Sequence, residues 1–132
     1  MAALDTNILV RLIVEDDSRQ LAAAERLLRR TLDDGETLFV PVTVFLELEW
    51  VLRTTYGFDK ATVVTTLAML LGTRELAFDA ETALELSLVH YRERNADYSD
   101  CLHAALAAVA GESPLWTFDR AAAKLEGAKR LA

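Results

Sequence analysis

Residues 2–14 read AALDTNILVRLIV. The apolar run Ala2 to Leu4 is long enough for a short buried strand and stops at Asp5, while from Thr6 to Val14 apolar side chains recur at helical intervals. The unit is a strand, an acid and a helix. Its pattern recurs outward along the chain. Leu38–Val40, stopped by Pro41, Leu76–Phe78 and Leu115–Phe118 have the same size and character and are predicted strands. Helical spacing fills the intervals over Ser18–Thr31, Thr43–Tyr56, Asp59–Leu71, Ala80–Arg94 and Ser99–Ala110, with Gly57, Gly72 and Gly111 as stop signals. Strands alternating with helices imply parallel pairing through right-handed crossovers, hence an α/β sandwich with helices on both faces of a short sheet. In such folds ligands bind beyond the carboxyl ends of the strands.

The bulk composition narrows the function. A length of 132 residues fits one domain spanning 1–132. With 52 % hydrophobic and 27 % charged residues, the chain is globular in composition and carries no linker or repeat. Fourteen Lys and Arg against 21 Asp and Glu leave a net charge of −7, which argues against nucleic-acid binding through a broadly basic surface. Any such role must rest on a local arrangement or on cations that reverse the local field. Cys101 is the lone cysteine, so there is no internal disulfide, and with His90 and His103 it makes no zinc spacing. There is no apolar run of membrane-spanning length and no secretory pattern, so a cytoplasmic protein without membrane association is expected.

Each notable carboxylate has an ordinary structural reading. Asp5 and Asp119 follow strands and can cap the helices that come next, a role worth roughly 1 kcal/mol. In VTVFLELEWVL, residues 42–52, the positions Val44, Leu48, Val51 and Leu52 mark the buried stripe. Glu47 falls at its edge beside Trp50, where an ionised group needs a partner or a cation. Glu49 falls on the wet side, four residues before Arg53, as a solvated ion pair. Asp97 and Asp100 stand at the entrance of LHAALAAVA, residues 102–110, a helix apolar or small on every face. The helix dipole favours anions there, and Ser99 or Asp97 can cap, which makes a second Asp redundant.

Taken jointly, the acids mean more. Strand ends and helix starts share one edge of a parallel α/β sheet, so four or five carboxylates converge. Like charges about 4 Å apart repel by some 4 kcal/mol at an effective dielectric of 20. Such a cluster needs a divalent cation or shared protons; an all-oxygen ligand set points to Mg²⁺ or Mn²⁺, and a wider, water-rich version to Ca²⁺.

Three other acidic sites fit less well. A two-carboxylate glycosidase leaves the remaining acids unexplained. A haloacid-dehalogenase-type phosphatase wants a second acid two residues after Asp5, where this chain has Asn7. The strongest alternative is a phosphoacceptor signalling module of the receiver type, with an acidic Mg²⁺ pocket. It normally keeps a Lys after its last strand, and Lys60, Lys124 and Lys129 do not sit there.

The order of motifs LDTNILVRL, VFLELEWVLR, DYSDCLHAALA and TFDRA resembles the PIN domain, most of all its VapC-type toxins. The resemblance covers nearly the whole chain. It implies a PIN-like, helix-rich three-layer α/β/α sandwich with a short, mainly parallel central sheet. It also implies a Mg²⁺- or Mn²⁺-dependent endoribonuclease, the toxin of a VapBC-type toxin–antitoxin module, acting on tRNA or another structured RNA. On that likeness Asp5, Glu47, Asp100 and Asp119 are catalytic. Asp5, Asp97, Asp100 and Asp119 hold the metal, with Asp97 an accessory acid, and the Thr6 hydroxyl supports the first acid. The implied partners are RNA, a VapB-type antitoxin and a second copy in a homodimer. The residues add two expectations. Arg11, Arg53, Arg92, Arg94 and Arg120 are candidates to guide an RNA backbone. The stretch 61–71, ATVVTTLAMLL, is more apolar than one buried face needs and suggests an association surface.

Overall fold

A computed structural model describes residues 2–132. The first strand, β1 (Ala2–Ala3), runs into α1 (Thr6–Val14) through Asp5, whose Oδ1 accepts the Thr6 N–H at 2.7 Å. α2 (Ser18–Asp33) starts at Asp17, which accepts the Gln20 N–H, and returns the chain to β2 (Leu38–Val40). α3 (Val42–Thr54) opens directly after Pro41, as expected of a residue that cannot donate and favours a helix start. Gly57, at φ +69°, takes the left-handed conformation that turns the chain out of α3. α4 (Lys60–Leu71) follows, capped by Asp59, then β3 (Leu76–Phe78), α5 (Glu81–Glu93) and α6 (Tyr98–Val109). The chain closes with β4 (Leu115–Thr117), a single 3-10 turn at Ala122–Lys124, and β5 (Ala128–Arg130).

β1, β2 and β3 form a parallel sheet in that order, with Ala2 opposite Leu38 and Leu38 opposite Leu76. All three therefore point their carboxyl ends to one edge, where Asp5, Pro41 and Asp79 leave the sheet. The α/β class and the helix boundaries agree with the sequence reading to within two residues at every end. The sheet differs in one respect. The strand at Leu115 does not join β1–β3 but pairs in parallel with β5, which the sequence pattern did not reveal. Two of the three residues of β5, Lys129 and Arg130, are charged and exposed, so β5 lacks the apolar run that signals a strand.

The core is built on α3. Phe45, Leu48 and Leu52 are fully buried and meet Val63 and Leu67 of α4, Leu84 of α5, and Tyr98 and Cys101 of α6 in one cluster. The Phe45 ring stands edge-on to Phe78 at 5.9 Å, and Tyr98 lies 5.2 Å from Tyr91, which ties α3, β3, α5 and α6 together. α5 and α6 make the most extensive helix pair. No helix among the described residues is long and apolar enough to cross a membrane.

Candidate active site

The sheet edge and the core beneath it place the acids in two neighbouring groups. In the first, Asp5 caps α1 with one oxygen. The buried hydroxyl of Thr6 donates to Glu47 Oε1 on α3. Glu47 is exposed, and this bond across 41 positions holds it beside the end of β1.

The second group gathers at the start of α6. Asp97 occupies the N-cap position, yet its side chain makes no capping hydrogen bond. Ser99 lies inside the first turn, so neither side chain named in the sequence as a cap performs that task. The dipole of a helix with unsatisfied N–H groups faces these acids instead. Asp100, in the first turn, is half-buried. Burial raises its pKa, and the charges of Asp119 and Asp97 raise it further, against a smaller opposing effect of His103. Asp119 arrives from β4 and accepts the Ala122 N–H at 2.9 Å, capping the 3-10 turn as its ordinary reading foresaw. It is nonetheless near enough to Asp100 to penalise that residue's charge.

A cleft of about 520 Å³ lies between Glu47 of the first group and Asp97 of the second. Glu47, Trp50 and Arg53 of α3 line one wall, and Asp97 and Ser99 line the other. The spacing 47, 50, 53 keeps the first wall on one helical face. The five arginines named from sequence separate here. Arg53 lines the cleft, whereas Arg11 is engaged by Asp16 at 2.6 Å and by Gln20 at the turn between α1 and α2. Arg92 borders a different groove, beside α4, and Arg94 and Arg120 are exposed.

Glu49 requires a correction. It pairs with Arg53 at 2.8 Å as expected, but it is 2 % exposed and not solvated. The Tyr91 hydroxyl donates to Glu49 Oε2 at 2.8 Å, and this contact pushes the tyrosine pKa up together with burial, the larger cause. The reason is a tertiary contact: the Tyr91 side chain reaches from α5 to Glu49 across 42 positions, which a single-helix pattern does not contain. A buried carboxylate with two donors is satisfied and has no need of a cation.

The other acids differ on this point. Among the described residues no Lys, Arg or His forms an ion pair with Asp5, Glu47, Asp97, Asp100 or Asp119. Nor do three or more of their carboxylates close on a single point tightly enough to cage an ion. The donors are all hard oxygens, they carry excess negative charge, and one of them is partly desolvated. That set suits a hard divalent cation and does not suit a soft metal.

A short parallel sheet flanked by helices, with Asp5 at its carboxyl edge and further acids at the start of α6 and after β4, defines an α/β protein with an acidic candidate site. The PIN domain family matches residues 2–128, and the chain belongs to it. PIN domains are generally nucleases and typically bind divalent metal ions. This membership decides against the receiver-type alternative. No curated protein gives a significant match.

Proposed function

We infer that this PIN protein is a Mg²⁺- or Mn²⁺-dependent endoribonuclease and the toxin of a VapBC-type module. The observation that carries the reading is the electrostatic state of Asp100. It is partly desolvated, faces the charges of Asp119 and Asp97 with only a smaller opposing effect of His103, and forms no ion pair among the described residues. A fold keeps such a repulsive arrangement where a bound cation offsets it.

Asp5, Asp97, Asp100 and Asp119 are the residues to hold the ion. A divalent cation there supplies Lewis acidity toward a phosphodiester and acidifies water. Glu47, oriented by the Thr6 hydroxyl, is placed to align the attacking water and accept its proton. Asp97 lacks a capping role and acts as an accessory ligand.

The partners follow from the same reading: a VapB-type antitoxin and a second copy of the chain. Support comes from α4, whose outer side presents Ala61, Ala68 and Met69, the last 71 % exposed, along a groove of about 730 Å³. Sedimentation of the purified chain tests the dimer.

The activity is tested by incubating the protein with RNA in Mg²⁺ or Mn²⁺ and with a chelator. Cleavage is expected only with metal. Asp5→Asn and Asp100→Asn should each abolish it while leaving the circular dichroism spectrum unchanged, and Asp97→Asn should reduce it less than Asp100→Asn. Cleavage that survives Asp5→Asn or Asp100→Asn would sink the assignment. Expression without a partner should arrest growth, and harmless overexpression of a metal-competent protein counts against the toxin role.

A further inference from the structure

Four of the chain's 14 basic residues, Arg19, Arg26, Arg29 and Arg30, stand on α2, and all four are exposed. By helical rotation they fall within an arc of about 100°, as a ridge that runs roughly 16 Å along the axis. Asp33 is the one acid inside that arc, and Glu25 falls beyond it. Ala24 and Thr31, the buried residues of α2, lie on the other side of the helix. Arg11 and Arg53 are held by carboxylates. The α2 arginines differ, because among the described residues none of the four forms an ion pair. A hollow of about 450 Å³ is lined by Arg26, Arg29, Arg30, Asp33 and Asp34. Arg30 also borders a smaller hollow with Ala2 and Leu38, the first residues of β1 and β2. The ridge therefore ends at the amino edge of the sheet, opposite the edge where Asp5 leaves it.

We propose that the α2 ridge is a second contact for long RNA, binding backbone phosphates of a segment that lies outside the acidic cleft. The proposal rests on the nuclease reading and adds how an acidic protein retains a polyanion. A chain of net charge −7 repels RNA at long range, so the attraction must come from a local cluster of cations. Four exposed guanidinium groups supply one, and each can give a phosphate two parallel hydrogen bonds. α2 has no aromatic residue on which a base could stack. The contact therefore reads the backbone and carries no sequence preference. Because the ridge ends at the edge of the sheet opposite Asp5, an RNA of a few nucleotides that fills the cleft does not reach it, whereas a longer one does. The ridge thus sorts substrates by length.

The test combines Arg19→Gln, Arg26→Gln and Arg30→Gln in protein that also carries Asp5→Asn to prevent cleavage. The probes are a labelled hexaribonucleotide and a labelled hairpin RNA of roughly 40 nucleotides, followed by anisotropy in Mg²⁺ buffer between about 50 and 200 mM KCl. At the lowest salt the glutamine triple should bind the hairpin roughly tenfold more weakly than its parent, and the slope of log K against log salt should fall by about 2. The hexamer should bind within about twofold of the parent, and the matching lysine triple should hold the hairpin within about threefold because it keeps the charge. Hairpin binding that the glutamines leave unchanged overturns the proposal, and so does an equal loss for both RNAs, which would mark a general field and not a contact. Arginine-dependent binding of a polyglutamate peptide, with hairpin binding unaffected, assigns the face to an acidic protein segment and also overturns it. The cleavage assay on protein with Asp5 intact separates the two levels. Arginine-dependent hairpin binding without any metal-dependent cleavage leaves the ridge standing and removes the nuclease reading. Metal-dependent cleavage of the hairpin with the parent's KM in the glutamine triple does the reverse.

Discussion

Thr6 donates its hydroxyl hydrogen bond to Glu47, joining the residue after the first strand's acid to the one acid of the site carried by α3. Thr6 is 3 % exposed, so its rotamer is set by packing and the bond is held by the fold. Glu47 depends on it, because the rest of its surroundings on the exposed side of α3 are solvent and the open cleft.

Thr6→Val keeps the shape and removes the donor. The protein should remain folded, losing about 1 kcal/mol. RNA cleavage at saturating metal should fall roughly tenfold in kcat through misplacement of Glu47, and Thr6→Ser should recover most of it. A variant with unaltered kcat would show that Glu47 needs no such support.

Asp100 gives a prediction of opposite sign for stability and activity. A carboxyl group whose folded pKa is raised contributes stability that is complete below its unfolded value, about 3.9, and lost as pH rises through the folded value. At neutral pH the ionised group is therefore a cost in metal-free protein. With chelator at pH 7, Asp100→Asn should melt a few degrees above the wild type, in the spirit of roughly 2–8 °C per kcal/mol for small domains. The gap should narrow as pH falls through the raised folded value and be closed below about pH 4, where Asp100 is protonated in both states. Mg²⁺ should raise the melting temperature of the wild type and not that of the variant. A less stable Asp100→Asn protein in chelator would contradict the repulsion argument.

The Glu49–Tyr91 contact should show its worth in urea unfolding. Tyr91→Phe leaves the buried Glu49 Oε2 with Arg53 Nε as its one remaining donor and should cost about 1 kcal/mol. Glu49→Ala strands the tyrosine hydroxyl as well and should cost about 2–4 kcal/mol, with Arg53 adding little because its side chain is 44 % exposed. The double variant should lose less than the sum. Strict additivity would mean that the two groups do not act as a pair.

Cys101 should be chemically silent in the native protein. It is fully buried, and burial is the main reason its thiol is pushed up to about 11. A thiol-specific disulfide reagent at pH 8 should leave it unmodified and should titrate one thiol in guanidinium. The raised value means that its contribution to stability is whole below the unfolded thiol pKa. It then declines as pH climbs from about 8.5 toward about 11, because the unfolded chain ionises first. Rapid modification under native conditions would place the N-terminal half of α6 outside the core.

Much of this was legible in the linear chain because it depends on local rules. α1 begins and ends where the spacing from Thr6 to Val14 predicts, and α4 begins one residue after the Asp59 that caps it. Short parallel strands are apolar on both faces, so Leu38–Val40 and Leu76–Phe78 stand out as runs. β5 did not, since only its backbone makes it a strand. The partnership of β4 was likewise misplaced: a short apolar run declares burial and does not say which strand it will pair with.

The residue pattern determined the α/β class and the helices and named the candidate acids, since periodicity, caps and residue chemistry act over a few positions. The tertiary structure decided the environment of each acid. The Tyr91 hydroxyl, brought from α5, turned Glu49 from a surface ion pair into a buried hydrogen-bonded anchor. Contact between α1 and α3 gave Glu47 its partner, and burial together with the approach of Asp119 and Asp97 made ionisation of Asp100 less favourable. Burial and charge proximity depend on which surfaces meet, and distances between residues far apart in sequence are set only when the chain has closed on itself.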